Sequence, residues 1–206
     1  YHNVFACGDQ PDQNNSMSEL LNPGEMRIIL KWPKNKEIDV DLDSHLQIPD
    51  NASSTFHLYA QNAYKRFYYA TNQKTCSSCS SDQLSDNVTL DKDHNNITAP
   101  HSPPGDETIT ISKVRSGTYS FSVHNYTNAD NSSITNLGQS GAKVKVIYCP
   151  VGVDCSNQAA VIKKKYHRPN KNGTLWRVFT FNSSDSGDGF TKVKDMDYEK
   201  TPLNVY

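Results

Sequence analysis

Apolar residues recur at every second position over short stretches of this chain, and no stretch carries them at the three-to-four spacing of a long amphipathic helix. Ile28, Leu30 and Trp32 fall on one side of an extended segment. Tyr119, Phe121 and Val123 do the same, with Thr118, Ser120, Ser122 and His124 opposite, and Val144, Val146 and Tyr148 alternate with Lys143 and Lys145. Seven further segments, 55–60, 64–70, 87–90, 108–111, 159–165, 175–181 and 189–194, read as strands between loops of Asn, Asp, Gly, Ser and Pro. A period of two buries one face only, so about ten such strands must lay their apolar faces against one another. The pattern predicts an all-β fold, an antiparallel β-sandwich of Ig-like or jelly-roll-like kind. Uneven spacing and strand length argue against a closed barrel. Residues 1–24 form a polar segment ending in the turn Asn22-Pro23-Gly24, with at most one helical turn at Met17–Leu21. The sandwich spans 25–194, and 195–206 read as a tail.

Composition makes that core a thin one. Leu, Ile, Val and Phe number 41 of 206 residues, against 56 Asn, Ser and Thr. Lys and Arg (21) nearly balance Asp and Glu (22), so overall charge offers no reason to expect nucleic acid or anionic lipid as a partner. No run reaches the ~18 apolar residues of a membrane-spanning helix. The chain starts at Tyr1 and carries no signal peptide, which suggests a processed form.

The polar excess points to a compartment. Eight Asn-x-Ser/Thr acceptors occur, at Asn14, Asn51, Asn87, Asn96, Asn125, Asn131, Asn172 and Asn182. Chance in a chain this rich in Asn, Ser and Thr accounts for roughly three or four. Five cysteines fit an oxidising environment. Cys149 and Cys155 flank a Pro- and Gly-containing turn, and Cys76 and Cys79 are close enough for a local bridge. A zinc site would need better-spaced partners, and a redox motif a βαβ setting. Cys7 is left unpaired or intermolecular. Secretion and N-glycosylation follow as expectations.

The densest chemistry is acidic. On an extended strand Asp39, Asp41 and Asp43 project to one side with His45; Asp91 and Asp93 form a second alternating pair, and Glu107 precedes an apolar strand. A row of carboxylates is costly unless a cation or many hydrogen bonds neutralise it. Calcium, which takes six to eight oxygen ligands, would suit two such loops meeting at one sandwich edge; solvated carboxylates bonded to backbone amides are the alternative. No catalytic constellation stands out, and an enzyme is not expected. The seven histidines are scattered along the chain. His45 beside Asp43 could orient a base, and Asp41 with Glu107 could make a glycosidase pair, but spacing alone specifies neither. Tyr59, Tyr64, Phe67, Tyr68 and Tyr69 concentrate aromatics that serve either a core or a sugar-stacking patch. Lys163-Lys164-Lys165, with His167 and Arg168 beyond, reads as a solvated strand end.

Several short motifs follow one another in order: Leu30-Lys31-Trp32, Asp41-Leu42-Asp43-Ser44-His45-Leu46, Leu90-Asp91-Lys92-Asp93 and Glu107-Thr108-Ile109-Thr110-Ile111. After them come Gly117-Thr118-Tyr119 with Val123-His124-Asn125-Tyr126, Gly141-Ala142-Lys143-Val144-Lys145-Val146, and Gly173-Thr174-Leu175-Trp176-Arg177-Val178-Phe179. Over roughly residues 25–182 this order resembles the bacterial YfaP-like domain, a family of secreted or periplasmic β-sandwich modules without an established activity. The resemblance implies a sandwich and no catalytic residues. The chain departs from it in a Pro-rich loop at 95–105 and in the Ser/Cys-rich insertion around Cys76–Cys79. The function expected is a secreted, N-glycosylated structural subunit of an extracellular filament, coat or matrix. It would self-associate by lending Tyr1–Cys7 or Leu203–Tyr206 to a neighbour's sheet edge. The alternative is a calcium-dependent carbohydrate-binding or adhesion module.

Overall fold

A computed structural model describes residues 20–35, 37–38, 40–94, 104–131 and 135–205. The strands are β1 (Met26–Trp32), β2 (Leu42–Pro49), β3 (Thr55–Leu58), β4 (Arg66–Tyr68), β5 (Asn87–Lys92) and β6 (Gly105–Ile111). They continue as β7 (Thr118–Asn125), β8 (Lys143–Tyr148), β9 (Ile162–His167), β10 (Leu175–Asn182) and β11 (Phe190–Asp197). Two short helices, α1 (Ser81–Ser85) and α2 (Asn136–Gln139), interrupt them. Ser80 caps α1 by accepting the Gln83 N–H while the Gln83 side chain accepts the Ser80 N–H, a capping box hidden in a Ser-rich loop.

The strands form two antiparallel sheets, ordered β4-β5-β6-β1-β8-β9 and β11-β10-β7-β2-β3. The alternation expected in β1 holds: Met26, Ile28, Leu30 and Trp32 are buried while the residues between them are not. Opposite them lie Leu46, Phe121, Val123, Trp176, Phe179 and Phe181, all buried. Each such side chain contributes about 1.5–3 kcal/mol when removed from water. A chain short of aliphatic residues therefore fills its core with aromatic ones. Phe179 alone lies within 5.5 Å of the Phe121, Tyr166 and Phe190 ring centroids. Of the aromatic-rich stretch 59–69, Phe67 and Tyr69 join the core and Tyr59 is buried, while Tyr64 and Tyr68 are half-buried. Gly105 opens β6 where the Trp32 ring occupies the space a Cβ would need.

Both ends of the sandwich differ from expectation. The tail boundary at 194 falls inside β11, and the residues beyond fold back on their own domain. Thr174 Oγ1 donates to the Glu199 carbonyl at 2.8 Å, His124 Nε2 donates to the same oxygen at 2.8 Å, and Val205 is fully buried. This packing also explains why His124, expected to face solvent, is covered. Over its described residues the Leu203–Tyr206 end lies on its own chain, with Val205 buried and Leu203 exposed. The other expected donor, Tyr1–Cys7, lies outside the described residues. Leu21, from the expected N-terminal segment, packs with Ile147, Val161 and the disulfide Cys149–Cys155, whose Cα atoms are 6.0 Å apart. Cys76 and Cys79 are bridged as well; Cys7 is outside the described residues. No helix among the described residues is long and apolar enough to cross a membrane.

Candidate metal centre

Three of the six acidic residues expected at a cation site meet in space. Ligand oxygens of Asp43, Asp93 and Glu107 all lie within 4.8 Å of one another. Asp43 arrives from β2, Glu107 from β6 and Asp93 from just past the end of β5, and the local backbone explains why.

Glu107 sits on β6 on the same side as Ile109 and Ile111, facing the core, and is fully buried. It reaches the free side of β2. The β2–β3 pairing stops at Leu46↔Leu58, so the Ser44 N–H has no strand partner; Glu107 Oε2 accepts it at 2.6 Å. The other oxygen, Oε1, has no hydrogen-bond partner. Asp43 precedes Ser44 and is buried at 7 % exposure. Asp93 owes its place to a bulge. The β5–β6 register slips between Leu90 and Lys92, so Asp91 is an extra residue. Without the slip, Asp91 and Asp93 would share the outer face with Thr89 and Thr110. With it, Asp93 turns toward Asp43 and Glu107, the re-aiming of a side chain that bulges produce. Asp91 is left outside, hydrogen-bonded to Thr110 and near Arg66 and Arg27, so it does not join the expected site. Asp41 borders the cluster; its N–H donates to Thr127 Oγ1 at 2.9 Å. Asp39 lies outside the described residues.

The site is electrostatically under-compensated. Lys65 Nζ bonds Asp93 Oδ2 at 2.6 Å, while Asp93 Oδ1 is buried without a partner. Burial, then the neighbouring Asp41 and Asp93 charges, push the Asp43 carboxyl up to about 8. Burial and Asp93 lift Asp41 to about 6, against a pull from His94. Burial, followed by Asp43, holds Glu107 well above the usual carboxylate range. Two buried carboxylates and a half-buried one, facing one ammonium, cannot all ionise in isolation. Their donor set is all oxygen, which suits calcium or magnesium and not zinc. Asp43, Asp93 and Glu107 would be the ligands, with Asp41 beside them.

A second cluster escaped the sequence reading. Three of the histidines gather on one face of the second sheet: His45 Nδ1 lies 2.9 Å from His57 Nε2, Tyr59 stacks on both rings, and His124 stands edge-on to His45 at 5.6 Å. Burial lowers all three, His57 to about 4, so they are neutral imidazoles at pH 7. The signal was present in the hairpin, because pairing Gln47 with His57 sets His45 diagonal to it. His45 spends Nδ1 on His57, not on orienting a serine.

Among the sequon asparagines, Asn51, Asn131 and Asn172 are exposed and Asn87 and Asn182 partly so. Asn125 is the exception. It is fully buried at the end of β7, with neither amide atom partnered, and a glycan cannot be accommodated there. Asn14 and Asn96 lie outside the described residues. Compared with known protein families, characterised proteins and solved structures, the chain matches none. The YfaP-like resemblance stands on its quoted motifs alone.

Proposed function

We propose that this chain is an extracellular β-sandwich binding module, adhesive in role, whose β2–β5–β6 corner is held together by a divalent cation, calcium by the chemistry of its donors. The observation that carries this reading is Glu107: a carboxylate enclosed between two sheets, with one oxygen on a backbone amide and the other, unpartnered, in a cluster with Asp43 and Asp93. A cation there would tie β2 of one sheet to β5 and β6 of the other and fix the connections that Asp41 and Asp93 belong to. Two disulfides and the exposed sequon asparagines support an oxidising, secretory setting. An adhesive role is preferred to a filament-forming one because the C-terminal segment is engaged within its own domain.

Calorimetric titration of chelator-stripped protein with calcium, run beside thermal melting, tests this. Binding heat and a raised Tm are expected, both lost in Glu107→Gln. A flat titration with an unmoved Tm at millimolar calcium would end the proposal.

A further inference from the structure

Read along the chain, Lys163-Lys164-Lys165 is a short basic run; the sheet register turns it into a surface. In β9, Tyr166 faces the core, and Lys164 on the same side reaches Asp188, while Lys163, Lys165 and His167 point the other way. The β8–β9 register sets Lys143 opposite His167 and Lys145 opposite Lys165. The β1–β8 register then sets Lys31 opposite Lys143. The outer face of three adjacent strands thus carries one row of Lys31, Lys143 and His167 and a second of Lys145 and Lys165. Rows of this kind lie ~4.8 Å apart across strands and ~6.7 Å apart along them. Lys31, Lys143, Lys165 and His167 are exposed. Neither β8 nor β9 contains an acidic residue. The nearest acid in register, Asp106 opposite Lys31, is paired with Lys92 at 2.6 Å.

Directly opposed like charges destabilise a sheet. A chain of net charge −1 that concentrates cations on one face carries a local field its overall balance conceals.

We infer that this outer face of β1, β8 and β9 is a docking surface for a linear sulfated polysaccharide. The cations are lysines, point charges suited to permanently anionic groups rather than planar forks suited to bidentate base or phosphate recognition. The aromatic residues of these strands, Trp32, Tyr148 and Tyr166, all turn into the core, so the face offers no platform on which bases could stack. Ile29 is its half-buried apolar residue, set among lysines, and Ile147 is buried; neither makes a membrane-inserting wedge. The surface lies on the first sheet, and its action does not depend on the acidic corner.

Heparin is the probe, tested against its desulfated form, a single-stranded oligodeoxynucleotide and phosphatidylserine vesicles, all in chelator so that the calcium proposal stands or falls separately. About four contacts predict an affinity for heparin that falls ~50-fold between ~50 and ~200 mM salt. Lys143→Ser with Lys165→Ser should weaken binding ~10-fold or more at ~100 mM salt, because half of those contacts are lost. Lys192→Ser with Lys194→Ser removes the same charge from β11, in the other sheet, and should leave affinity within about twofold. The first pair should melt no lower than the parent, since it removes opposed charges, which separates lost binding from lost folding. Equal losses in the two pairs, no heparin binding, undiminished binding of the desulfated form, or equally tight binding of oligonucleotide or vesicles would each overturn the inference.

Discussion

Replacing Asp43 by Asn tests the acidic corner by a route that ligand binding alone does not reach. Asn keeps the shape of the side chain and removes its charge. Because the Asp43 carboxyl is lifted from 3.8 to about 8, the cation-free fold at pH 7 must hold that group protonated. At ~1.4 kcal/mol per pH unit, taking up a proton about three units above the unfolded pKa costs on the order of 4 kcal/mol. A buried amide still costs about 1–3 kcal/mol. The net gain for the variant in chelator is therefore about 2 kcal/mol, or roughly 4–8 °C in Tm for a chain of this size. The sign also sets a pH window. A raised carboxyl contributes stability that is fully present below 3.8 and lost as pH rises through about 8. His57, lowered to about 4, acts oppositely and loses stability as pH falls from 6.5 through 4. Asp41 has titrated by about 6. Between pH 6.5 and 8 the slope therefore belongs to Asp43 and, in the same direction, Glu107. Differential scanning fluorimetry in chelator should show the parent Tm falling across that window and the variant falling less steeply, since burial keeps Glu107 raised in both. Calcium at ~100 times its Kd should restore about 2.7 kcal/mol to the parent and little to the variant. A variant that melts below the parent in chelator at pH 7.5, beside a parent Tm that does not fall from 6.5 to 8, would refute the reasoning.

Three further outcomes are expected. Glycopeptide mapping of protein from a eukaryotic secretory host should find glycan on Asn51 and Asn172 and none on Asn125; a modified Asn125 would contradict its burial. Cys149→Ser with Cys155→Ser opens a loop with a sequence separation of 6, and chain entropy puts the loss at about 2 kcal/mol, roughly 4–8 °C in Tm. Truncation after Tyr198 removes the Glu199 carbonyl and buried Val205. It should lower Tm while leaving particle size in solution unchanged, whereas a smaller particle would support the donated-strand idea for that end.

Much of the sandwich was legible because a half-buried strand leaves a trace in single residues: the alternation of Ile28, Leu30 and Trp32 is the core face of β1. Strand β2 was harder, since Asp43 and His45 look like solvent positions and are buried by neighbours remote in sequence. The acidic corner was half legible. Asp43, Asp93 and Glu107 were picked out by residue type, but Asp91 was grouped with Asp93 because strict alternation holds only until a bulge, and a bulge depends on what the partner strand supplies. Asn125 looked like any other sequon; a tripeptide carries no information on burial. The three-histidine cluster and the lysine face share a cause, in that each is assembled by register between strands, which no one-dimensional period encodes.

The edges of the two sheets bear on how this protein behaves at high concentration. A sheet edge is an open template, and each of the four here is discouraged from use. Strands β3 and β4 are only four and three residues long. β9 carries Lys163, Lys164 and Lys165, and β11 carries Lys192 and Lys194 followed by Asp195 and Asp197. Short or charged edges are how β proteins avoid pairing with copies of themselves. The lysines of β9 that form the cationic face therefore also keep concentrated protein dispersed. Exchanging them for neutral β-branched residues would remove the polyanion surface and open a six-residue edge to aggregation in one step.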